Sequence, residues 1–310
     1  MASHQHPESS SQYPASPGTL FIVGTPIGNM EDITLRALRV LREADLIAAE
    51  DTRHTGQLLA RHGIKKPLIS YHEFNEARRT PELLQKLQEG LKIALVSDAG
   101  MPTLSDPGTR LIRAVEAANR ARMLGTGYRI QDAGNKMQDN TTGNGPASSN
   151  QYPVTSNQYP VTSNQYPVTS NQYPVTSNQY PVTSNQYPAT SIEAVPGPSA
   201  LTAALAISGL SGGPFLFHGF LPHKGGQRRK VLANLAALPC ALVFFESPYR
   251  IQKTLADMLE ILGDRHAVVA RELTKKFEEV MRDNLSHLLK SLENRRIKGE
   301  ITLIVEGRKE

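Results

Sequence analysis

Cysteine is almost absent: Cys240 stands alone in 310 residues. A lone thiol excludes a disulfide framework and any cysteine-rich metal site, and it suits a reducing, cytoplasmic setting. Long apolar runs are missing too. No stretch approaches the roughly 18 residues that a membrane-spanning helix needs. The opening MASHQHPESSSQYPASPG has no apolar core. It does not read as a signal peptide, and its Ser, Pro, Gln and His content predicts disorder over residues 1–17. Strong charge of one sign is lacking as well. Formal net charge is +5, and residues 120–191 carry a part of it, as Arg120, Arg122, Arg129 and Lys136 against Asp132 and Asp139. So weak an excess is a poor marker of a nucleic-acid partner, which only local clusters of cations would indicate.

What is present in excess is a repeat. From residue 149 to 190 the unit SNQYPVT occurs six times, the last as SNQYPAT. A period of seven suggests a coiled coil, but each unit carries a Pro, which removes an amide donor and clashes with the preceding turn. There is no apolar a/d pair. One Tyr and at most one Val per unit cannot offset the entropy of ordering seven residues. The repeat carries no charge with which to grip phosphate. Its tyrosines could stack on bases, but the composition predicts a solvated, disordered insert.

The flanks place that insert. DPGTRLIRAVEAAN predicts a helix, with Leu111, Ile112, Val115 and Ala118 on one face and Asn119 as its C-cap. IEAVPGPSALTAALAISGL predicts a strand, a Pro-Gly turn and a helix. An insert at about 120–191 therefore interrupts a helix-to-strand joint. In parallel sheets, ligands bind outside the carboxyl ends of the strands, at the opposite edge.

The strand-to-helix loops are where chemistry concentrates. An apolar strand at 20–23 runs into Gly24-Thr25-Pro26-Ile27-Gly28-Asn29, followed by a helix from near Asp32. This is neither GxGxxG nor a Walker loop; alone it reads either as a plain turn or as a loop whose backbone amides meet a ligand. A strand at 45–49 ends in Glu50-Asp51-Thr52-Arg53-His54, readable as a structural ion-pair cluster or as a polar pocket wall. A strand at 93–96 leads into Ser97-Asp98-Ala99-Gly100-Met101-Pro102 and then Ser105-Asp106-Pro107-Gly108. Either Asp alone would be a turn residue; two such turns in one loop exceed what a connection needs. The second half repeats the style. FLFHGFLPHKGGQRRKVL holds His223, Lys224, Arg228, Arg229 and Lys230, a solvated loop or a phosphate-binding one. Further strands end in Glu246-Ser247-Pro248-Tyr249-Arg250 and Arg271-Glu272-Leu273-Thr274-Lys275, and ITLIVEG is the last. The pattern predicts two consecutive α/β domains, 18–210 and 211–310, with a break at 208–214 and an active cleft between them.

In this order, TPIGN, AAEDTRHTG, VSDAGMP with SDPG, VPGPSA, GFLPHKGGQRRK, FFESPYR, RELTKKFEE and KGE with LIVEG resemble one family, the 16S rRNA (cytidine-2′-O)-methyltransferases, ribosomal RNA small-subunit methyltransferase I, of the tetrapyrrole methylase fold. The resemblance covers residues 18–119 and 192–308. Met101 departs from it, since the family usually has a small polar residue there. The resemblance implies methyl transfer from S-adenosylmethionine to a ribose 2′-hydroxyl in small-subunit rRNA by a homodimer. Since such a donor leaves as a neutral thioether, no metal is expected, and the lack of a long apolar run leaves no membrane partner expected. It implies cofactor contacts from Thr25, Pro26, Ile27 and Gly28, from Ser97, Asp98, Ala99, Gly100 and Pro102, from Pro196, Gly197, Pro198, Ser199 and Ala200, and from Phe244 and Phe245. Asp51, Arg53, His54, Glu246 and Arg250 are unranked candidates for orienting the ribose and taking its proton, and Lys224, Arg228, Arg229 and Lys230 are candidates for meeting rRNA phosphates. Two rivals stand beside this: a methylase of tetrapyrroles or other small molecules on the same fold, and a non-catalytic RNA-binding or assembly module.

Overall fold

Consecutive apolar residues at 20–23, 46–49 and 93–96 have the pattern of parallel strands covered on both faces. The computed structural model describes residues 18–123, 189–210 and 212–309; the tail and nearly all of the repeat insert lie outside the described residues. The apolar runs form β1 (Thr19–Val23), β2 (Leu46–Ala49) and β4 (Lys92–Val96), joined by β3 (Leu68–Ser70) and β5 (Ser191–Val195). The sheet order is β3-β2-β4-β1-β5, all parallel. Leu20 lies opposite both Ile93 and Ile192.

Alternate side chains go to opposite faces of the strands. Leu20, Ile22, Ile93 and Leu95 pack on Leu83, Leu87, Leu111 and Val115 of α3 (Glu76–Gln88) and α4 (Thr109–Met123). Phe21, Val23, Ala94 and Val96 pack on Val40, Leu41 and Leu59 of α1 (Leu35–Glu43) and α2 (Thr52–Arg61). At roughly 1.5–3 kcal/mol for each fully buried side chain of this size, these two layers outweigh the exposed ion pairs in stabilising the half-molecule. The first of these helices begins later than Asp32: Met30–Asp32 is a 3-10 turn, and Thr34 caps α1 by accepting the Ala37 amide at 3.0 Å.

The second sheet is not a repeat of the first. It contains β6 (Phe215–Phe220), β7 (Ala241–Glu246), β8 (His266–Arg271), β9 (Glu279–Asn284) and β10 (Ile301–Val305) in the order β6-β7-β10-β8-β9. Only β6 and β7 pair in parallel; the other pairs are antiparallel. One face packs on α6 (Gly225–Leu235), α7 (Ile251–Leu262) and α8 (Leu285–Leu292) through Leu232, Leu255, Met258 and Leu288. The other face, with Val243, Val268, Ala270 and Ile304, meets Leu201, Ala204 and Leu205 of α5 (Ala200–Ser208) and Ile27. An apolar seam thus joins the two sheets and fixes the cleft between them.

One expected boundary is corrected. Asn119 does not cap α4, which runs another turn to Met123. Its side-chain amide donates to the Thr190 carbonyl at 2.9 Å and accepts the Thr190 N–H at 3.1 Å. This clip closes the base of the insert at the amino edge of the first sheet, where Ser191 pairs with Thr19. A deletion should therefore spare Asn119, Thr190 and Ser191. Joining Met123 to Ala189 through a short glycine linker should leave melting temperature, and the activity that the resemblance implies, nearly unchanged, since a shorter connection closes at no greater entropic cost. Thermal melts and turnover check this; a folded deletion that has lost most of its activity would give the insert a role.

Candidate active site

Three loops leave the carboxyl ends of β1, β4 and β5 and lace together. The Thr25 N–H donates to the Gly100 carbonyl at 2.9 Å, and the Gly100 N–H returns to the Thr25 carbonyl at 3.1 Å. The Thr25 hydroxyl donates to the Ser97 carbonyl at 3.2 Å. Gly24 and Gly197 touch backbone to backbone, so a Cβ on Gly24 would lie 2.7 Å from the Gly197 Cα. No larger residue allows that approach, which explains the glycine of the PGPSA turn.

The laced loops face the second sheet across a cleft of about 330 Å³. Its polar side holds the carboxyl groups of Glu50, Asp98, Asp106 and Glu300, with Gly100, Ser199 and Ala200. Its apolar side is Leu104, Leu201, Phe217, Phe220 and Phe245. The Phe217 and Phe245 rings meet edge to face at 4.9 Å. A second cavity, of about 290 Å³, takes Thr25, Pro26, Gly28, His54, Ser97 and Lys275 as walls. Ile27, Asp98, Ala99 and Glu300 border both.

Crowded carboxylates shape the electrostatics. Desolvation, then the charge of Glu50, pushes Asp106 up to about 7. Desolvation also raises Glu50, against the Asp98 amide that donates to it at 3.3 Å. An acid raised in the folded state holds a proton that the unfolded chain has lost, so this ionisation destabilises the fold increasingly from pH 4 to 7 and fully above. Asp106→Asn should therefore raise stability at pH 8, by about 1–2 kcal/mol after discounting for partial exposure, and by less at pH 5. Melts at the two pH values check this; equal shifts would remove Asp106 from the desolvated set.

The remaining candidates divide. Asp51 caps α2 by accepting the Arg53 amide at 2.8 Å, pairs with the Arg53 guanidinium at 2.8 Å, and is held well below the usual carboxylate range by it. Its own amide donates to Asp98 Oδ1 at 3.0 Å. Arg53 points outward, 87% exposed. Glu246 borders the cleft, but its carboxylate is fully buried on Arg250, at 2.6 Å, and Thr254, at 2.6 Å. Pro196, Gly197 and Pro198 shape the turn before α5 without lining either cavity, and Pro102 is buried and lines neither.

Two sequence expectations meet a contrary geometry. Phe244 faces away from the cleft into the helix-side core, 5.9 Å from His218, because successive strand residues alternate faces. Arg228 is buried against Asp257 at 2.6 Å, and Arg229 pairs with Asp257 at 3.1 Å and with Glu260. These guanidiniums are engaged by α7, whereas Lys224 and Lys230 are exposed with no acidic partner among the described residues. Glu300, Phe217, Phe220 and Lys275 were not legible as site residues, because only the packing of the second sheet brings them to the cleft. Among the described residues no group of His, Cys, Asp and Glu could hold a metal ion, and no helix is long and apolar enough to cross a membrane.

The family described as Tetrapyrrole (Corrin/Porphyrin) Methylases matches residues 19–122 and 173–289. The chain is 40% identical to a ribosomal RNA small subunit methyltransferase I of Thermotoga maritima, over 94% of this chain and 99% of that one. It is 37% identical to the protein of that name from Pasteurella multocida, covering 94% and 80%. Among solved structures, the methyltransferase CobJ superposes with a TM-score of 0.54 at 15% identity, covering 94% of this chain and 97% of that one, a likeness of fold alone. The cleft between a parallel and a mixed sheet, the match across both halves and the full-length kinship give one result: the chain belongs to the tetrapyrrole methylases and, within them, to the ribosomal RNA small subunit methyltransferase I family.

Proposed function

We propose that the chain transfers the methyl group of S-adenosylmethionine to the ribose 2′-hydroxyl of a cytidine in 16S rRNA, acting on the small ribosomal subunit in the cytoplasm as a homodimer. The observation that carries this reading is the paired cavity at the strand ends, acidic on one side and aromatic on the other. The names of relatives that match over the full length supply the small-subunit rRNA.

The residues fit the methyl donor. Glu50, Asp98 and Asp106 crowd one cleft with Glu300, which Lys275 pairs at 2.9 Å, and desolvation raises Glu50 and Asp106, so a ligand bearing an ammonium and a sulfonium offsets the unpaired charge. The inner part of the aromatic wall, Phe217 edge to face on Phe245, suits a flat base. Ile27, Asp98, Gly100, Ser199, Ala200 and Phe245 would hold the donor. When bound, it supplies an electrophilic methyl carbon on a positively charged sulfur that leaves as a neutral thioether.

The chain's own task is then to place the hydroxyl in line and accept its proton. Asp51 and Arg53 fix the start of α2 and so the position of His54 on the second cavity. Asp51 is a weak proton acceptor beside Arg53, and the buried Glu246 is tied to Arg250. His54 on the second cavity and Asp106 on the first are the groups placed to take the proton. The test compares methyl transfer from labelled cofactor onto small subunits lacking the modification, naked rRNA and tetrapyrrole precursors. Incorporation into subunits is expected. Turnover on a macrocycle alone would favour the small-molecule methylase, and turnover on none the non-catalytic module.

A further inference from the structure

Tyr249 is 91% exposed, an unusual setting for so large a ring, and it stands beside Pro248, which lines the cleft. Phe220, 55% exposed, lines the same mouth. Their loops are tied together: Arg250 Nη1 donates to the Leu221 carbonyl at 3.0 Å, and each of these residues adjoins one of the two rings. Phe220 is braced from behind by Phe245, edge to face at 5.7 Å. The Tyr249 amide donates to Ser247 Oγ at 3.3 Å, which fixes the turn that carries the ring outward.

The cleft behind these rings is acidic, but the unpaired charges on the helices that follow them are cations. Lys224, Lys230 and Lys253 are exposed on the adjoining helices and have no acidic partner among the described residues. The nearby acids, Asp257 and Glu260, are engaged by Arg228 and Arg229. The buried Arg228 also reaches the His223 carbonyl at 3.5 Å, so it shapes the loop that presents Lys224 and does not itself face outward. Exposed rings on two tied loops, each followed within four residues by an exposed lysine with no acidic partner among the described residues, match an unpaired nucleotide, whose base stacks while its phosphate meets a cation.

We infer that Phe220 and Tyr249 form a stacking platform for an unpaired base of the substrate RNA, with Lys224 meeting its backbone, at the entrance to the cleft. The inference rests on the rRNA reading for its physiological ligand, but the platform can be tested apart from turnover.

The chain has no tryptophan, so Tyr249→Trp creates a single fluorescent reporter on an exposed residue. Titration with a short single-stranded cytidine-rich oligoribonucleotide should quench it saturably, and Phe220→Ala in the same protein should weaken that binding about tenfold, the scale of one stacked base. In turnover, Tyr249→Ala should raise KM for small subunits about tenfold with little change in kcat, Tyr249→Phe should restore it, and calorimetric affinity for S-adenosylmethionine should stay at the wild-type value. Fluorescence that ignores RNA, or responds only to a tetrapyrrole macrocycle, overturns the platform. A loss of cofactor affinity in Tyr249→Ala overturns it too, since the ring then belongs to the donor site. Wild-type protein that leaves small subunits unmethylated while the reporter still binds RNA overturns the rRNA reading alone.

Discussion

Glu246→Ala should lower stability by about 3–5 kcal/mol, the usual cost of leaving one buried partner of an ion pair alone. For a chain of this size that is a fall of roughly 10 °C in melting temperature. The reason is local. The Glu246 carboxylate accepts from Arg250 Nη2 at 2.6 Å, from the Thr254 hydroxyl at 2.6 Å and from the Ser247 amide at 2.6 Å. Arg250 in turn holds the Leu221 carbonyl, so the pair ties the end of β7 to the loop after β6. Truncation leaves a buried guanidinium without its acid. Glu246→Gln keeps hydrogen-bonding capacity and should melt between the two. Thermal unfolding checks this. A Glu246→Ala protein that melts as the wild type does and yet fails to turn over would return Glu246 to the chemical step.

Asp98→Ala should weaken S-adenosylmethionine binding about 5- to 150-fold, or about 1–3 kcal/mol for a charged hydrogen-bonding group. Asp98 borders both cavities and stands two residues past the end of β4, the central strand of the parallel sheet. One carboxylate oxygen already accepts the Asp51 amide at 3.0 Å. Asp98→Asn preserves that acceptor and removes the charge, so it should lose less than Asp98→Ala. Calorimetry on folded variants gives both numbers. Unchanged affinity in Asp98→Ala would take the residue out of the donor site.

Much of the fold was legible because burial on both faces leaves an unbroken apolar run. β1, β2 and β4 announce themselves this way, and the small-residue loops after them mark the carboxyl edge where the cavities open. Asn119 misled for a physical reason. An amide that reads as a cap in sequence is a clip in space, satisfied by Thr190 across the insert. β9 was missed because an edge strand such as EVMRDN carries little apolar signal. Phe244 and Phe245 were named together, although a strand can offer only one of them to the cleft. The basic loop reads as free charge for want of its partners: nothing in HKGGQRRK tells that Asp257 and Glu260, a helix away, engage two of its cations. Asp106 is visible as a turn residue, but its raised pKa depends on burial in a cleft that the second half helps to wall, and then on the charge of Glu50.

The most direct test of the central claim is to find where the methyl group goes. Unmodified small subunits would be incubated with the protein and labelled S-adenosylmethionine, the rRNA digested, and the labelled nucleoside identified by mass spectrometry. A single 2′-O-methylcytidine at one position of 16S rRNA is expected, with about 5- to 150-fold less formed by Asp98→Ala at limiting cofactor. A label on a base atom, on another nucleoside or on no rRNA at all would contradict it.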